Sequence, residues 1–196
     1  MDQPTGDKGA PYAIAGCSCG YSSGSEIRGP GVLYPYYRLK EEGAELTVVA
    51  SRGGEEYLSL HQYPAKSDRG AADVNAADFD MIIIPGGFSP DYMRRDDDMV
   101  EFVRDAAELN KPIAAICHGP WMLCCTDALR GRRATSFKSV RYDMINAGAI
   151  WVDEACVEDG NIITSRSPDD LTYFLPAIIR AAEIYSGGGF RRKEVA

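Results

Sequence analysis

Two short runs constrain this chain more than anything else in it. Met81–Ile84 leads into Pro85-Gly86-Gly87, and Ile113–Ile116 leads into Cys117-His118-Gly119. Each run is four residues without a polar side chain, and each stops abruptly. A strand with one wet face alternates apolar and polar residues, whereas a run that is apolar throughout suits a strand covered on both faces. The surrounding pattern agrees. Residues 12–15 and 46–50 read as strands, with a helix over 35–42 between them that Gly43 closes. Met99, Val100, Val103, Ala106 and Ala107 recur at helical spacing. A helix is expected over 118–128. Strands are expected over 151–157 and Ile162–Ser165, with a turn at Asp159-Gly160-Asn161. A closing helix over Leu171–Tyr185 is entered through Ser167-Pro168-Asp169-Asp170. Strands alternating with helices imply an α/β fold, its parallel sheet covered on both faces, with the functional crevice at the carboxyl ends of the strands.

At 196 residues and 45% hydrophobic, the chain holds enough for one core. The expected domain runs over 10–186, with tails at 1–9 and 187–196. The balance of 21 Lys and Arg against 29 Asp and Glu leaves a net charge of −8, which argues against a nucleic-acid partner. No apolar run reaches the length of about 18 residues that a membrane span needs, and the polar start carries no secretory signal. A cytoplasmic setting with a small-molecule or peptide substrate is expected. The six cysteines, at 17, 19, 117, 124, 125 and 156, are too sparse for a disulfide scaffold and read as reduced thiols.

Which thiol reacts is then the question. Cys117 stands where an apolar strand ends and a helical pattern starts, the layout of a nucleophile elbow. That geometry lifts a thiol out of the sheet and points it at the N-terminus of the next helix, where thiolate is favoured. His118 is one of two histidines and offers a base beside the thiol. Gly119 keeps the approach uncrowded. These residues alone equally describe a buried Cys beside a structural His. Gly86 and Gly87, at the end of the neighbouring run, can present bare backbone N–H groups to an oxyanion, or simply make a turn.

The other candidates are weaker. Cys17-Ser18-Cys19 lacks a second ligand pair for zinc, so no metal is expected; Cys17 is an accessory thiol or a plain loop residue. Cys124, Cys125 and Cys156 read as core. His61 lies in SLHQYPAKSD, which reads as a short hairpin. Tyr34, Tyr36, Tyr37 and Trp121 line either a pocket, a subunit contact or the core. Arg94-Arg95 and Arg132-Arg133 read as solvated faces.

Taken together, DFDMIIIPGGFSPDYMR, KPIAAICHGPWML, RYDMINAGAIWVDEACVEDGNIITSRSPDDL and YPYYRLKEEG resemble the ThiJ/PfpI family, and within it the PfpI-type intracellular protease/amidase branch. The resemblance covers roughly residues 10–185. It implies a flavodoxin-like three-layer sandwich with a mostly parallel central sheet, related to class I glutamine amidotransferase domains. It also implies a cofactor-free, cysteine-dependent activity, with peptidase, glyoxalase, deglycase and chaperone roles assigned across the family. Homodimers or higher homo-oligomers, with sites near subunit contacts, are implied too.

Carried over by residue, Cys117 matches the family nucleophile and His118 its adjacent histidine. Gly87 and the His118 N–H match the oxyanion donors. Asp91 matches a carboxylate that orients the histidine from a neighbouring subunit. Arg166 lies in a late motif with a structural or substrate-proximal role. One departure stands out: the Glu that the family places against the thiol falls on Gly31 here. Either Glu26 reaches in from the Gly-rich stretch ahead, or that carboxylate is missing. The expected activity is attack on a carbonyl-type electrophile, by an acyl/amide hydrolase or a glyoxalase/deglycase. The alternatives are a specialised lyase or hydratase on a larger metabolite, and a non-catalytic redox sensor or chaperone.

Overall fold

A computed structural model describes residues 11–15, 29–58 and 64–185. Cys17, Cys19, Glu26 and His61 lie outside the described residues. The centre is a seven-stranded sheet of β1 (Pro11–Ala15), β2 (Glu45–Ala50), β5 (Arg69–Gly70), β6 (Met81–Ile84), β7 (Ile113–Ile116), β10 (Cys156–Asp159) and β11 (Ile162–Ser165), in the order β10-β11-β7-β6-β1-β2-β5. Every pairing is parallel except β10 with β11. Two small pairs lie outside it: β3 (Glu56–Leu58) with β4 (Pro64–Lys66), antiparallel, and β8 (Arg133–Ala134) with β9 (Ile150–Trp151); the hairpin expected over 59–68 lies partly outside the described residues.

The apolar runs are explained by what covers each face. Ile82, Ile84, Ile113 and Ala115 pack under α3 (Asp97–Glu108), α4 (Pro120–Leu123) and α5 (Arg141–Asn146). Met81, Ile83, Ala114 and Ile116 point the other way, against Leu39 of α1 (Gly29–Glu41) and the apolar stripe of α6 (Leu171–Tyr185). Successive strand residues face opposite layers, so a strand buried on both sides favours apolar side chains at every position. This is a three-layer sandwich with a mostly parallel sheet, as expected. Among the described residues no helix is long and apolar enough to cross a membrane.

Three boundaries differ from expectation. Helix α1 begins at Gly29, so Pro35 lies inside it. The proline sacrifices one bond to the carbonyl of Gly31, and packing of the helix against α6 and β2 outweighs that. The helix expected over 118–128 is one turn, Pro120–Leu123. Thr126 ends it: its hydroxyl donates to the Leu123 carbonyl and accepts the Ala128 N–H, a local alternative to the helical ladder. The strand expected over 151–157 is split. Trp151 pairs with Ala134, Cys156 pairs with Ser165, and ion pairs of Asp153 with Arg166 and Glu154 with Arg133 hold the intervening loop. Pairing of Asp159 with Ile162 leaves Gly160-Asn161 as a two-residue turn, with Gly160 at φ +60°.

Candidate active site

Strands β6 and β7 are neighbours, so their carboxyl ends place Gly86 and Cys117 side by side. The fit is close enough to dictate glycine. A methyl group added at Gly86 would lie 2.5 Å from Cys117 Cβ and 2.9 Å from the Ile116 carbonyl oxygen. One added at Gly119 would lie 2.5 Å from the Ile84 carbonyl oxygen. Gly119 therefore lets the turn sit on the end of β6; keeping the thiol's approach open is not its main role.

Cys117 has φ +62°, a left-handed conformation that a side-chain-bearing residue adopts at a cost of about 1–3 kcal/mol. The surroundings hold it there. Its N–H donates to the Ser165 carbonyl at 2.9 Å, and its carbonyl accepts the Phe137 N–H at 2.9 Å. The Gly119 N–H closes the turn onto the Ile116 carbonyl at 2.8 Å. This is the strained strand-to-helix elbow expected of a nucleophile.

The thiol is nearly buried, at 4% exposure, yet it has a polar partner. Cys117 Sγ lies 3.3 Å from His118 Nδ1. The far nitrogen, Nε2, lies 3.2 Å from Ser139 Oγ. The imidazole stands nearly parallel to Phe137, with centroids 4.9 Å apart, and to Phe88 at 6.1 Å. Trp121 is tilted against it at 5.7 Å. Trp121 is fixed in turn: its indole N–H donates to Asp143 at 3.0 Å, and the Arg94 guanidinium lies over its ring. Phe88 and Phe137 are both exposed, so the mouth of the site is aromatic. Two other thiols, Cys124 and Cys156, differ. Burial pushes Cys124 and Cys156 up to about 12, so both stay protonated at neutral pH.

The DJ-1/PfpI family model matches residues 24–181. The chain belongs to the DJ-1/PfpI family. It is 38% identical to Deglycase PfpI of Pyrococcus furiosus over 160 residues, 82% of this chain and 96% of that protein. It is 44% identical over 140 residues, 71% of this chain and 83% of the other, to YraA of Bacillus subtilis strain 168, whose name proposes a cysteine protease. A two-domain protein of Anabaena variabilis, with DJ-1/ThiJ/PfpI-like and ferritin-like domains, superposes with a TM-score of 0.80 at 40% identity. The match covers 87% of this chain and 47% of that one.

Within the structure, the candidate residues divide. Cys117, His118, Gly86 and Trp121 converge as the sequence suggested. Gly87 sits beside them at φ +75°, in the turn that leads into α2 (Ser89–Met93). Asp91, in the first turn of α2, is not on His118 of its own chain; it pairs with Arg95, one helical turn away, which shares its exposed face. Arg166 belongs to the scaffold. Its guanidinium forks onto both oxygens of Asp170 at 3.0 and 3.1 Å and reaches Asp153 at 2.8 Å, pinning the start of α6 to the loop after β9. Gly31 lies within α1, and Glu26 and Cys17 lie outside the described residues.

Further readings need correction. Cys124, Cys125 and Cys156 are half-buried, with Cys124 and Cys156 packed against the edge of the core and not within it, because α4 ends early and Cys156 sits on the edge strand β10. Arg132 is no solvated face: its Nη1 donates to the Asp159 carbonyl and the Asn161 side chain, both at 2.9 Å, and ties down the β10–β11 turn. With α4 only one turn long, the dipole expected from a long helix behind Cys117 shrinks. Ser139, Phe88 and Phe137 went unnoticed in the sequence. Phe88 and Phe137 stand in loops beside the two glycine turns, a signal available only once those turns are known to meet.

Proposed function

We propose that the protein is a cysteine hydrolase that attacks the carbonyl carbon of a small acyl or amide substrate. The observation that carries this is a strained elbow thiol within 3.3 Å of an imidazole nitrogen. Nδ1 of His118 takes the thiol proton, and the thiolate adds to the carbonyl carbon. The carbonyl electron pair moves to oxygen beside the Gly86-Gly87 turn. When the carbonyl re-forms, the bond to the leaving amine or alcohol breaks, and His118 returns its proton to that group. Water then cleaves the thioester, releasing the acid and the free thiol. No cofactor takes part in these steps. Direct hydrolysis is preferred because α-oxoaldehyde chemistry must also move a proton between neighbouring carbons. Direct hydrolysis runs on the Cys117–His118 pair alone, whereas the proton shift calls for a second general base besides His118.

The name of the Pyrococcus furiosus relative favours a second reading, release of an amine from an α-oxoaldehyde adduct. One experiment separates the two. A chromogenic acyl ester should give a burst of leaving group equal to the Cys117 content, followed by slower turnover, with both lost in Cys117→Ser. Formation of a hydroxy acid from a methylglyoxal-treated amine, dependent on Cys117 and without any ester burst, selects the second reading. Neither reaction in the intact protein refutes both.

A further inference from the structure

The family resemblance assigns the orientation of His118 to a carboxylate from a neighbouring subunit. In the structure, the nitrogen that faces away from the thiol, Nε2, already has a partner in its own chain. We propose that Ser139 is the positioning residue of His118, and that it sets the imidazole's tautomer from within the same chain. This rests on the reading of Cys117 and His118 as nucleophile and base.

To accept the thiol proton, Nδ1 must present its lone pair, so the neutral ring must carry its proton on Nε2. That N–H points at an acceptor 3.2 Å away, Ser139 Oγ. After transfer, Nδ1–H donates to the thiolate and Nε2–H still donates to Ser139. One hydroxyl therefore serves both ends of the step without moving, and its own proton is left for solvent, since Ser139 is exposed. A hydroxyl differs from a carboxylate in one respect. It selects the tautomer but adds no charge of its own to hold the imidazolium.

Ser139 is placed for this by the elbow itself. It lies in a single 3₁₀ turn, Lys138–Val140, which closes by the Val140 N–H on the Phe137 carbonyl at 2.9 Å. Phe137 in turn donates its N–H to the Cys117 carbonyl, and the Val140 side chain is fully buried. Nucleophile, ring wall and positioning hydroxyl thus share one backbone connection. A carboxylate from another subunit would have to displace Ser139 from Nε2.

The test uses Ser139→Ala, Ser139→Thr and Asp91→Asn in the full chain. Ser139 is exposed, so its loss removes no core packing. Ser139→Ala should lower kcat on the ester by about tenfold to a hundredfold with little change in KM, and Ser139→Thr should restore most of it. A second readout needs no substrate. The Cys117 thiolate absorbance, taken as the difference from Cys117→Ser, should appear at higher pH in Ser139→Ala. Absence of ester turnover in the wild type would defeat the hydrolase reading and leave this titration standing. An unchanged titration with unchanged kcat overturns the proposal. So does a loss confined to Asp91→Asn, which would return the role to a carboxylate from another subunit.

Discussion

Cys117 and Cys124 lie seven positions apart and on either side of α4, and they make opposite use of burial. Cys117 is the more deeply buried, yet it faces an imidazole at 3.3 Å from a strained backbone. Cys124 is half-buried, its thiol makes only a 3.5 Å contact with the Pro120 carbonyl, and desolvation pushes it up to about 12. Arg94 is close enough to Cys124 to pull the other way and does not prevail. Exposure therefore does not rank these thiols. What ranks them is whether the low-dielectric pocket also supplies a group that gains by taking the proton.

The largest test of that contrast is removal of each thiol in turn. Cys117→Ser should cost at least about 10³-fold in kcat, the scale for losing a nucleophile that acts as a unit with its base. Iodoacetamide labelling at neutral pH, followed by peptide mapping, should mark Cys117 well ahead of Cys124 and Cys156. Faster labelling of either of the latter would reverse the ranking.

Next comes the geometry that separates the two sites. Gly86→Ala would place a methyl 2.5 Å from Cys117 Cβ and 2.9 Å from a backbone oxygen. Neither the backbone nor the elbow residue can swing away as a long side chain would. The expected cost is about 1–3 kcal/mol of stability, or a Tm lower by about 2–4 °C for each kcal/mol in a domain of this size. Slower labelling of Cys117 should accompany it. Thermal melts with unchanged Tm and unchanged labelling would show that the elbow is not pinned by Gly86.

How much of this was legible differs between the two regions. The elbow announces itself because β7 has no polar residue and Cys117-His118 follows it directly. The covering of both sheet faces can be read from Met81–Ile84 for the same reason. Ser139 leaves no such trace. It is 21 residues from His118 in an unpatterned loop, and only the bond from Phe137 to Cys117 brings it in. The early end of α4 was hidden for a different reason: Met122, Leu123 and Ala128 continue an apolar period, and the local bonds of Thr126 override it. In the sequence Arg166 reads as structural or substrate-proximal and Arg132 as a solvated face, because an arginine's partners lie elsewhere in the chain. Asp153 and Asp170 hold the first, and Asp159 and Asn161 the second.

Alkaline pH gives a smaller effect. Unfolded, Cys124 and Cys156 lose their protons near 9.0; folded, they keep them to about 12. The unfolded state therefore binds fewer protons across that window, and stability falls as pH rises through it. Below pH 9 the contribution is fully present. Chemical denaturation between pH 8 and 11 should show a decline that is shallower in the Cys124→Ala, Cys156→Ala double variant. Equal slopes in the two proteins would mean that the thiols are wetter than their surroundings suggest.

The smallest effect belongs to Cys124→Ala on its own. Cys124 lines an open groove of about 640 Å³ beside Arg104, Arg130 and Arg132, so truncation enlarges a wet space and creates no sealed cavity. The lost contact to Pro120 is long and made by a weak donor. The cost should be about 1 kcal/mol or less, with kcat within about twofold of the wild type, since neither Cys117 nor His118 lines that groove. Cys124→Ser sharpens the point. A hydroxyl donates to the Pro120 carbonyl better than a thiol does, so this variant should be at least as stable as Cys124→Ala. A tenfold loss of kcat in either variant, with Tm preserved, would tie Cys124 to the elbow through α4 and remove the contrast between the two thiols.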